Sequence, residues 1–351
     1  MIINKLNILY KLSFVVIAFI LLLPNDNFAQ SFGAGYSSSY LNRNNGARAI
    51  GMAGAYTAIA NEPSAIFYNP AGIGYLDEIP LVNSSISILG LGRVNSSLSW
   101  AQEVSPSFGV GASFNSFYGG SFTARDVKGN PLGTMNDFQY SLALAGAYKI
   151  EFMSMGASLK YLGSSLGSSS LSASGVSLDL GTKFDVFDLF SFGLSIQNVS
   201  GMLFWNNEAS SRDDIPYTIR TGVAFEYGLN DDLFTTRSTI TGKEETVYIP
   251  ATRYILFSAD MIFNQYVASP DFVIGTEISP HELIALRGGI SIYGEKLGTP
   301  QLFPMNYWGG GISIRPDLKD LPFKMNIDYS IANEYLLNNG IAHHVSLLFE
   351  F

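Results

Sequence analysis

The chain has 351 residues, of which 47% are apolar, 13% aromatic and only 14% charged. Because a typical soluble domain is about 25% charged, this composition does not favour a helical bundle or a nucleotide-binding enzyme. The net charge of −9 argues against a nucleic-acid partner, and the lack of cysteine excludes disulfides and thiolate metal sites. The three histidines, two of them adjacent, do not suggest a metal site. We expect no cofactor and no enzymatic activity.

The amino terminus has the pattern of an export signal. Lys5 and Lys11 precede the apolar run LSFVVIAFILLL, and the polar stretch ending in NFAQ follows it. The alternative is a short membrane anchor, but a spanning helix needs roughly 20 apolar residues. We therefore predict a signal peptide over residues 1–29, cleaved after Ala29, and export of the mature chain to the outer membrane of a Gram-negative cell.

Residues 30–79, which we call the hatch, come next. The stretch GARAIGMAGAYTAIA, residues 46–60, is dominated by alanine and glycine and predicts a short helix that packs closely against other backbone. The stretch NEPSAIFYNPAGIG, residues 61–74, contains two prolines and two glycines, so no helix or strand runs through it. Its apolar residues are nevertheless unsuited to an exposed loop. Asn69 and Pro70 are expected to form a turn, because asparagine favours turns and proline fixes φ.

From residue 80 onward, apolar residues recur at every second position, which predicts strands. In FKMNIDYSI, for example, Met325, Ile327 and Tyr329 share one face and Asp328 lies on the other. Fourteen such segments follow one another, and most are long enough for a tilted strand that crosses a membrane, about 9–11 residues. They are 80–89, 93–104, 106–117, 136–149, 152–163, 172–184, 191–199, 215–227, 250–264, 271–279, 282–293, 305–316, 322–331 and 341–351.

The fold class that this pattern predicts is an all-β, transmembrane antiparallel β-barrel of about 14 strands over residues 80–351. Short and long connections alternate, as in barrels with both ends on one side of the membrane. Residues 228–249 break the alternation and indicate a misplaced strand or an extra element. Because the bore of 14 strands is wider than side chains alone can fill, we expect the hatch to lie inside it. Glycines 109, 111, 119 and 120 are candidates for a kink in the wall.

Several polar residues fall on the inward face of the predicted strands. They could line a polar path, although a network that joins wall and hatch is the ordinary expectation for that face. His343 and His344 are adjacent and therefore point to opposite sides of a strand. The inward charged residues are Lys160, Asp179, Lys183, Arg220, Glu226, Asp260, Glu277, Arg287, Lys324 and Asp328.

The run ARAIGMAGAYTAIANEPSAIFYNPAGIG resembles the amino-terminal hatch of FadL-like outer-membrane proteins, most closely the PorV/PorQ family. Asn69, Pro70 and Ala71 match the short Asn-Pro-Ala signature of that superfamily. The resemblance covers residues 46–76 and implies a 14-stranded barrel with a plug. The terminal strand, with Phe349 and Phe351, likewise resembles the signal that the outer-membrane assembly machinery recognises.

The resemblance implies two functions. PorV/PorQ proteins serve type IX secretion, with exported cargo or secretion components as partners; the alternative is FadL-like passive transport of long-chain fatty acids or other hydrophobic molecules, often through a lateral opening in the wall. A barrel in membrane lipid with an unknown substrate is the third possibility. Candidate hatch or gate residues are Arg48, Glu62, Phe67, Tyr68, Asn69, Pro70 and Ala71. Arg48 and Glu62 could form an ion pair that moves with a ligand or one that is fixed.

Overall fold

The structure of the protein is a computed structural model. This structure describes residues 38–351 except 77–78, 168–170, 187–188, 208–209, 231, 238–243, 250, 266–268, 293–306, 317–320 and 335–339. The predicted signal peptide lies outside the described residues. Within them, no helix is long and apolar enough to cross a membrane.

Strands form almost all of the described secondary structure. They are β1 (Leu81–Ile88), β2 (Val94–Ser105), β3 (Phe108–Arg125), β4 (Pro131–Ile150), β5 (Met153–Leu166), β6 (Leu171–Val186), β7 (Phe190–Trp205), β8 (Arg212–Asp214), β9 (Thr218–Gly228), β10 (Asp232–Arg237), β11 (Glu244–Ile249), β12 (Tyr254–Asn264), β13 (Asp271–His281), β14 (Ile284–Ile292), β15 (Tyr307–Ile314), β16 (Lys324–Glu334) and β17 (Gly340–Glu350). Each of the fourteen predicted segments overlaps one strand of the main sheet.

The main sheet closes on itself as an antiparallel barrel. Its wall runs β1 to β7, then β9, then β12 to β17, and β1 pairs with β17 in register from Leu81–Glu350 to Ile88–His343. We call the end of the barrel at Leu81 and Glu350 the inner end, since short turns join strands there, and the opposite end the outer end. The short β8 pairs with β7 as an extra strand above β9. The predicted 14-stranded barrel is therefore confirmed.

The outer face of the wall is apolar. Large side chains at alternate positions are exposed there, while their neighbours in sequence are buried and polar; examples are Leu142, Tyr161, Phe257, Ile274 and Leu286 on the outside. In hydrocarbon, backbone polar groups must pair within the protein, and a closed barrel pairs them all between strands. The barrel is therefore built to have lipid around it, with its polar residues turned into the lumen.

Two segments differ from the sequence-based prediction. Residues 118–135 were expected as a long loop, but β3 and β4 continue through them and pair from Gly120–Asp137 to Arg125–Pro131. The neighbouring strands reach only Tyr118 and Asp137, so this hairpin projects alone from the outer end. At the inner end, residues 228–249 contain the separate two-stranded sheet β10–β11, which is an extra element rather than a misplaced wall strand.

The described part of the hatch, residues 38–76, lies within the barrel. It contains one α-helix, α1 (Ala47–Gly51), and 3₁₀ helices over Ser39–Asn42, Pro63–Phe67 and Pro70–Tyr75. The predicted helix is thus shorter than the alanine-rich stretch that suggested it, because the chain turns at Ala53 and Gly54, which both have positive φ. Nearly all apolar side chains in the described part of the hatch are buried.

Inward-facing glycines of the wall make room for backbone and side-chain atoms of the hatch. A Cβ atom on Gly289 would overlap the carbonyl of Met52, and one on Gly156 would overlap the backbone between Pro70 and Ala71. We call this set the glycine ring: Gly109, Gly111, Gly156, Gly181, Gly193, Gly222, Gly275, Gly289 and Gly309. Gly109 and Gly111, candidates for a kink, instead face Ile73 and Ile66 of the hatch.

The most irregular part of the wall is β7. Between Val176–Met202 and Leu180–Ile196, the strand β7 has two more residues than β6. Asn198 and Ser200 take left-handed conformations, with φ of 59° and 53°. On the other side of β7, pairing is interrupted at residues 215–217, between β8 and β9. We call this region the β7 bulge; a smaller bulge lies at Gly119 in β3.

Candidate functional site

The hatch is joined to the wall by a buried charge network centred on Glu277 of β13. Arg48 of α1 donates two hydrogen bonds to this carboxylate, from Nε and Nη2, each 3.1 Å long. Its Nη1 atom donates to Asn61 Oδ1 at 2.8 Å and to the Tyr56 hydroxyl at 3.3 Å. Glu62 lies at 3.8 Å from Nη1. The structure therefore brings Arg48 and Glu62 together, but the principal partner of Arg48 is in the wall.

The network continues through the wall strands. Glu277 also accepts hydrogen bonds from Arg287 of β14 and, at 2.5 Å, from the Tyr254 hydroxyl of β12. Arg287 in turn donates to Asp328 of β16 at 2.5 Å, and Arg315 donates to Tyr254 at 3.0 Å. Three of the predicted inward charges, Glu277, Arg287 and Asp328, therefore belong to one connected set rather than lining an open path.

Asp260 of β12 forms a second junction with the hatch. Its Oδ2 atom accepts from the backbone nitrogens of Tyr56 and Thr57, both at 3.0 Å, and from the Thr57 hydroxyl at 2.6 Å. Arg220 of β9 lies at 3.7 Å from the same oxygen and donates to the Gly54 carbonyl at 2.7 Å. The turn after α1 is thereby bonded to the wall through backbone groups, which explains why it is not helical.

Two tyrosines form the centre of the hatch between two guanidinium groups. Tyr56 and Tyr68 pack edge to face with ring centroids 5.1 Å apart. Arg48 lies over Tyr56 and Arg220 over Tyr68, at 5.6 and 5.2 Å from the ring centroids. The Tyr68 hydroxyl accepts from the Asn45 nitrogen and donates to the Asn45 carbonyl, both at 2.8 Å. Burial raises the pKa of both phenols, so they remain neutral hydrogen-bonding groups.

Arg48 remains charged in this buried position. Desolvation alone would lower its pKa, but the attraction of Glu277 outweighs that effect and raises the pKa well above its usual value. A permanently charged guanidinium on the hatch and a carboxylate on the wall form a fixed pair, as expected for Arg and a buried acid. No titration near neutral pH is expected to release this contact.

Asn69 fixes the break between the two central 3₁₀ helices. Its Oδ1 accepts from the Ala71 nitrogen at 3.2 Å, and its Nδ2 donates to the carbonyls of Thr57 and Thr182, both at 3.0 Å. Pro70 occupies the first position of the following helix, where its missing N–H costs nothing. Asn69, Pro70 and Ala71 are all fully or nearly fully buried, so they act here as a turn bonded to β6.

A narrow slit lies between the hatch and the β7 bulge. Phe67, which alone among residues 62–74 is only partly buried, lines it together with Ile66 and Leu41. Gln197 of β7 donates to the Phe67 carbonyl at 2.7 Å and to that of Tyr68 at 3.3 Å. The slit holds about 20 Å³, less than one compact organic ligand needs.

Lys160 and Asp179 meet at the β7 bulge. Lys160 Nζ lies 2.7 Å from Asp179 Oδ1 and donates to Asn198 Oδ1 at 2.5 Å. Asp179 Oδ1 also accepts from the Asn198 backbone nitrogen at 2.8 Å. The left-handed conformation of Asn198 is thus stabilised by an ion pair that spans β5 and β6.

The other predicted polar residues lie at the inner end. Lys183 is buried, with Nζ 4.2 Å from the ring centre of Tyr75 and 3.5 Å from Asp185. Glu226, near the end of β9, is exposed. Lys324 is also largely exposed and forms a surface pair with Glu350 at 3.0 Å.

Phe349 and Phe351 of the predicted assembly signal stack with centroids 6.3 Å apart. Phe323 packs against both rings. The aromatic group lies where β16 and β17 reach the inner end of the barrel.

Above the hatch, the lumen contains a cavity of about 400 Å³, which we call the outer cavity. Its wall comes from the outer ends of the strands and its floor from the hatch residues Arg43, Asn44, Ile50 and Ala53. Polar lining residues include Ser87, Asn95, Arg220, Asp271, Asn333, Glu334 and His344; apolar ones include Leu89, Ile262, Val273, Tyr307, Ala332 and Ala342.

Sequence reasoning did not select Arg43, Asn95 or Glu334, and it singled out Gly109 and Gly111 of the glycine ring only as candidates for a kink. The ring did leave a signal, since glycine occupies inward positions of many predicted strands. The outer cavity left none, because its residues come from distant strands whose heights depend on register.

No protein-family model matches the chain, and no curated protein matches it. Several solved structures do match the chain. The toluene transporter TodX of Pseudomonas putida is 12% identical, with 92% of this chain and 99% of that chain covered and a TM-score of 0.55. The toluene transporter TbuX of Ralstonia pickettii is 13% identical, with 87% and 97% covered and a TM-score of 0.51. A FadL homologue of Pseudomonas aeruginosa is 12% identical, with 86% and 96% covered and a TM-score of 0.51.

At these identities the likeness concerns the fold. This chain has the fold of FadL-type outer-membrane channels, over most of its length. The narrower resemblance to PorV/PorQ proteins rests on residues 46–76 alone.

Proposed function

We propose that the protein is a passive channel of the outer membrane for small hydrophobic molecules. The observation that carries the proposal is the division of the lumen: the hatch occupies its middle, and a cavity of about 400 Å³ remains on the outer side. Ligand pockets have about 300–1,000 Å³, so the cavity admits a small molecule. Transport is the function named for the solved structures TodX and TbuX.

The route that we propose leaves the lumen beside the hatch rather than through it. The hatch is bonded to the wall at Glu277 and Asp260, and an opening there would break several buried hydrogen bonds. The β7 bulge is the most irregular part of the wall, since its ladder is interrupted on both sides. Its inner face has an apolar cluster of Leu162, Ala173, Leu203 and Ile215, against which Leu41 packs.

Uptake by vesicles tests this function. The full chain is reconstituted into vesicles with lipopolysaccharide in the outer leaflet, because toluene crosses a plain phospholipid bilayer unaided, and entry of radiolabelled toluene is compared with entry of a polar sugar of similar size. We expect faster entry of toluene than in empty vesicles and no such gain for the sugar. Equal entry of toluene with and without protein would rule out the channel.

A role in protein secretion to the cell surface is the second candidate. The resemblance of residues 46–76 to PorV/PorQ hatches favours it, as does the projecting β3–β4 hairpin, on which Phe122, Val127 and Leu132 are exposed. The hairpin extends beyond the neighbouring strands, so it is accessible to a protein partner. A deletion strain tested both for growth on hydrophobic carbon and for surface display of exported proteins separates the two functions.

A further inference from the structure

The outer cavity has both polar and large apolar lining residues. Polar residues line it on several strands, with Asn95, Ser87 and His344 together on β2, β1 and β17, while the large apolar side chains of Ile262, Val273 and Tyr307 lie on β12, β13 and β15. At about 400 Å³ the cavity is at the small end of ligand pockets. A compact molecule with both a polar group and an apolar body would match this mixed lining better than a hydrocarbon without a polar group.

The polar lining contains hydrogen-bonding atoms that have no partner in the protein. Ser87 pairs with His344 on one side and with Asn95 on the other, so the three side chains form a row across three strands. Each has a relative exposure of 3%. His344 Nδ1 lies 2.7 Å from the Ser87 hydroxyl, while its Nε2 atom is buried without a partner, as is Asn95 Oδ1. Buried polar atoms are normally satisfied by a partner, and a hydrogen-bonding ligand in the cavity would supply one for this row.

One carboxylate near this row is shared by two guanidinium groups, of which Arg43 lines the cavity and Arg93 does not. Arg43 and Arg93 both approach the carboxylate of Glu334, each at 3.4 Å, so two guanidinium groups face one acid. Arg93 also donates to the backbone carbonyls of Gly90 and Leu89. Arg43 lines the cavity, is 27% exposed at its side chain, and makes only long hydrogen bonds to Glu334, at 3.4 and 3.5 Å.

We propose that the outer cavity binds a compact organic acid, with its carboxylate at Arg43 and His344 and its apolar body against Ile262, Val273 and Tyr307. Arginine matches a carboxylate with two parallel hydrogen bonds. The His344 Nε2–H donates to the acid when Nδ1 accepts the hydrogen of Ser87. Asp271 also lines the cavity, from β13, so the proposal places the carboxylate of the acid at Arg43, away from this residue. This inference rests on the proposed channel function and specifies its substrate class.

Binding to the purified full chain in detergent tests the inference. Benzoate and benzyl alcohol, which share the ring and differ in charge, are titrated by calorimetry. We expect benzoate to bind at least about tenfold more tightly, the effect of one charge-assisted hydrogen bond. Arg43→Gln is expected to weaken benzoate more than benzyl alcohol and so abolish the preference. Arg212→Gln, at an exposed pair outside the cavity, is the matched control.

His344→Phe provides a second variant should Arg43→Gln fail to fold, and it is also expected to reduce the preference for benzoate. Equal affinity for the two ligands in the wild type, or an unchanged preference in both variants, would overturn the inference. Toluene uptake measured in parallel separates the two proposals. Uptake of toluene without binding of benzoate refutes the acid site alone, whereas binding of benzoate without uptake refutes the hydrocarbon channel.

Discussion

Arg48 and Glu277 face each other with two parallel hydrogen bonds, although 229 positions separate them in the chain. One lies on α1 of the hatch and the other on β13 of the wall, and the carboxylate is completely buried. The pair therefore fixes both the height and the rotation of the hatch inside the barrel. Its loss should affect the attachment of the hatch more than the wall, whose strands have their own backbone ladders.

The first prediction concerns this pair. Arg48→Met removes four hydrogen bonds of the guanidinium. The buried carboxylate of Glu277 then loses one of its two arginine partners and keeps Arg287. Breaking a buried pair from one side costs about 3–5 kcal/mol, so we expect a lower unfolding midpoint in denaturant. We also expect larger single-channel conductance in planar bilayers, because a loosened hatch obstructs the bore less.

Arg212→Met is the control for this experiment, since Arg212 pairs with Asp214 at an exposed position and exposed pairs contribute about 0–1 kcal/mol. If both variants unfolded at the same denaturant concentration as the wild type, the pair would not anchor the hatch.

The second prediction compares two adjacent glycines of β14. A Cβ on Gly289 would overlap the Met52 backbone, whereas a Cβ on Gly288 would meet no atom within 4 Å. Gly289→Ala should therefore displace the hatch and destabilise the protein by about 1–3 kcal/mol, the usual range for overpacking. Gly288→Ala should be neutral or slightly stabilising.

Limited proteolysis of the folded protein reports the displacement, because cleavage within residues 38–76 requires the hatch to leave the lumen. Faster cleavage in Gly289→Ala than in Gly288→Ala is the expected result. Identical cleavage rates would show that the hatch adapts to the added methyl group.

The alternation of apolar and polar residues was enough to predict the wall. In β16, for example, Tyr329 is exposed to the outside while Asp328 and Ser330 are buried inside, as the period of two indicates. The same alternation does not predict which side chains meet inside the lumen. Which charge meets Arg48 depends on the register of strands far apart in the chain, and both Glu62 and Glu277 are suitable partners by type.

The length of a strand was also hard to predict where the strand extends beyond the lipid-facing wall. The wall segments end where the apolar alternation ends, but β3 and β4 continue beyond it because their backbones pair with each other. Thr123 and Thr134, directly opposite in this ladder, carry no apolar alternation that could have marked a strand. The hatch helix is, by contrast, shorter than the sequence predicts. Alanine favours a helix over residues 46–60, but Asp260 accepts hydrogen bonds from the backbone of Tyr56 and Thr57, which form a turn.

The third prediction concerns Asn69. Asn69→Ala removes one acceptor and two donated hydrogen bonds in a fully buried site, and unsatisfied buried groups cost about 1–3 kcal/mol each. Asn69→Asp keeps the acceptor for Ala71 but places a carboxylate oxygen against the carbonyls of Thr57 and Thr182. We therefore expect the aspartate variant to be the less stable of the two.

Thermal unfolding followed by circular dichroism ranks the two Asn69 variants against the wild type. The order wild type, Asn69→Ala, Asn69→Asp is expected from highest to lowest midpoint. An aspartate variant as stable as the wild type would mean that Asn69 does not donate to these carbonyls.

The fourth prediction concerns the projecting hairpin. Its residues beyond Tyr118 and before Asp137 have no flanking strand on either side, so they add little to the stability of the barrel. Replacing residues 122–135 with Asn-Gly, which forms a tight hairpin turn, should leave the unfolding midpoint unchanged. Toluene uptake should persist, since the outer cavity has no residue in this range. If the hairpin binds an exported protein, surface display will be lost while uptake remains; a large drop in midpoint would instead show that the hairpin is packed against the barrel.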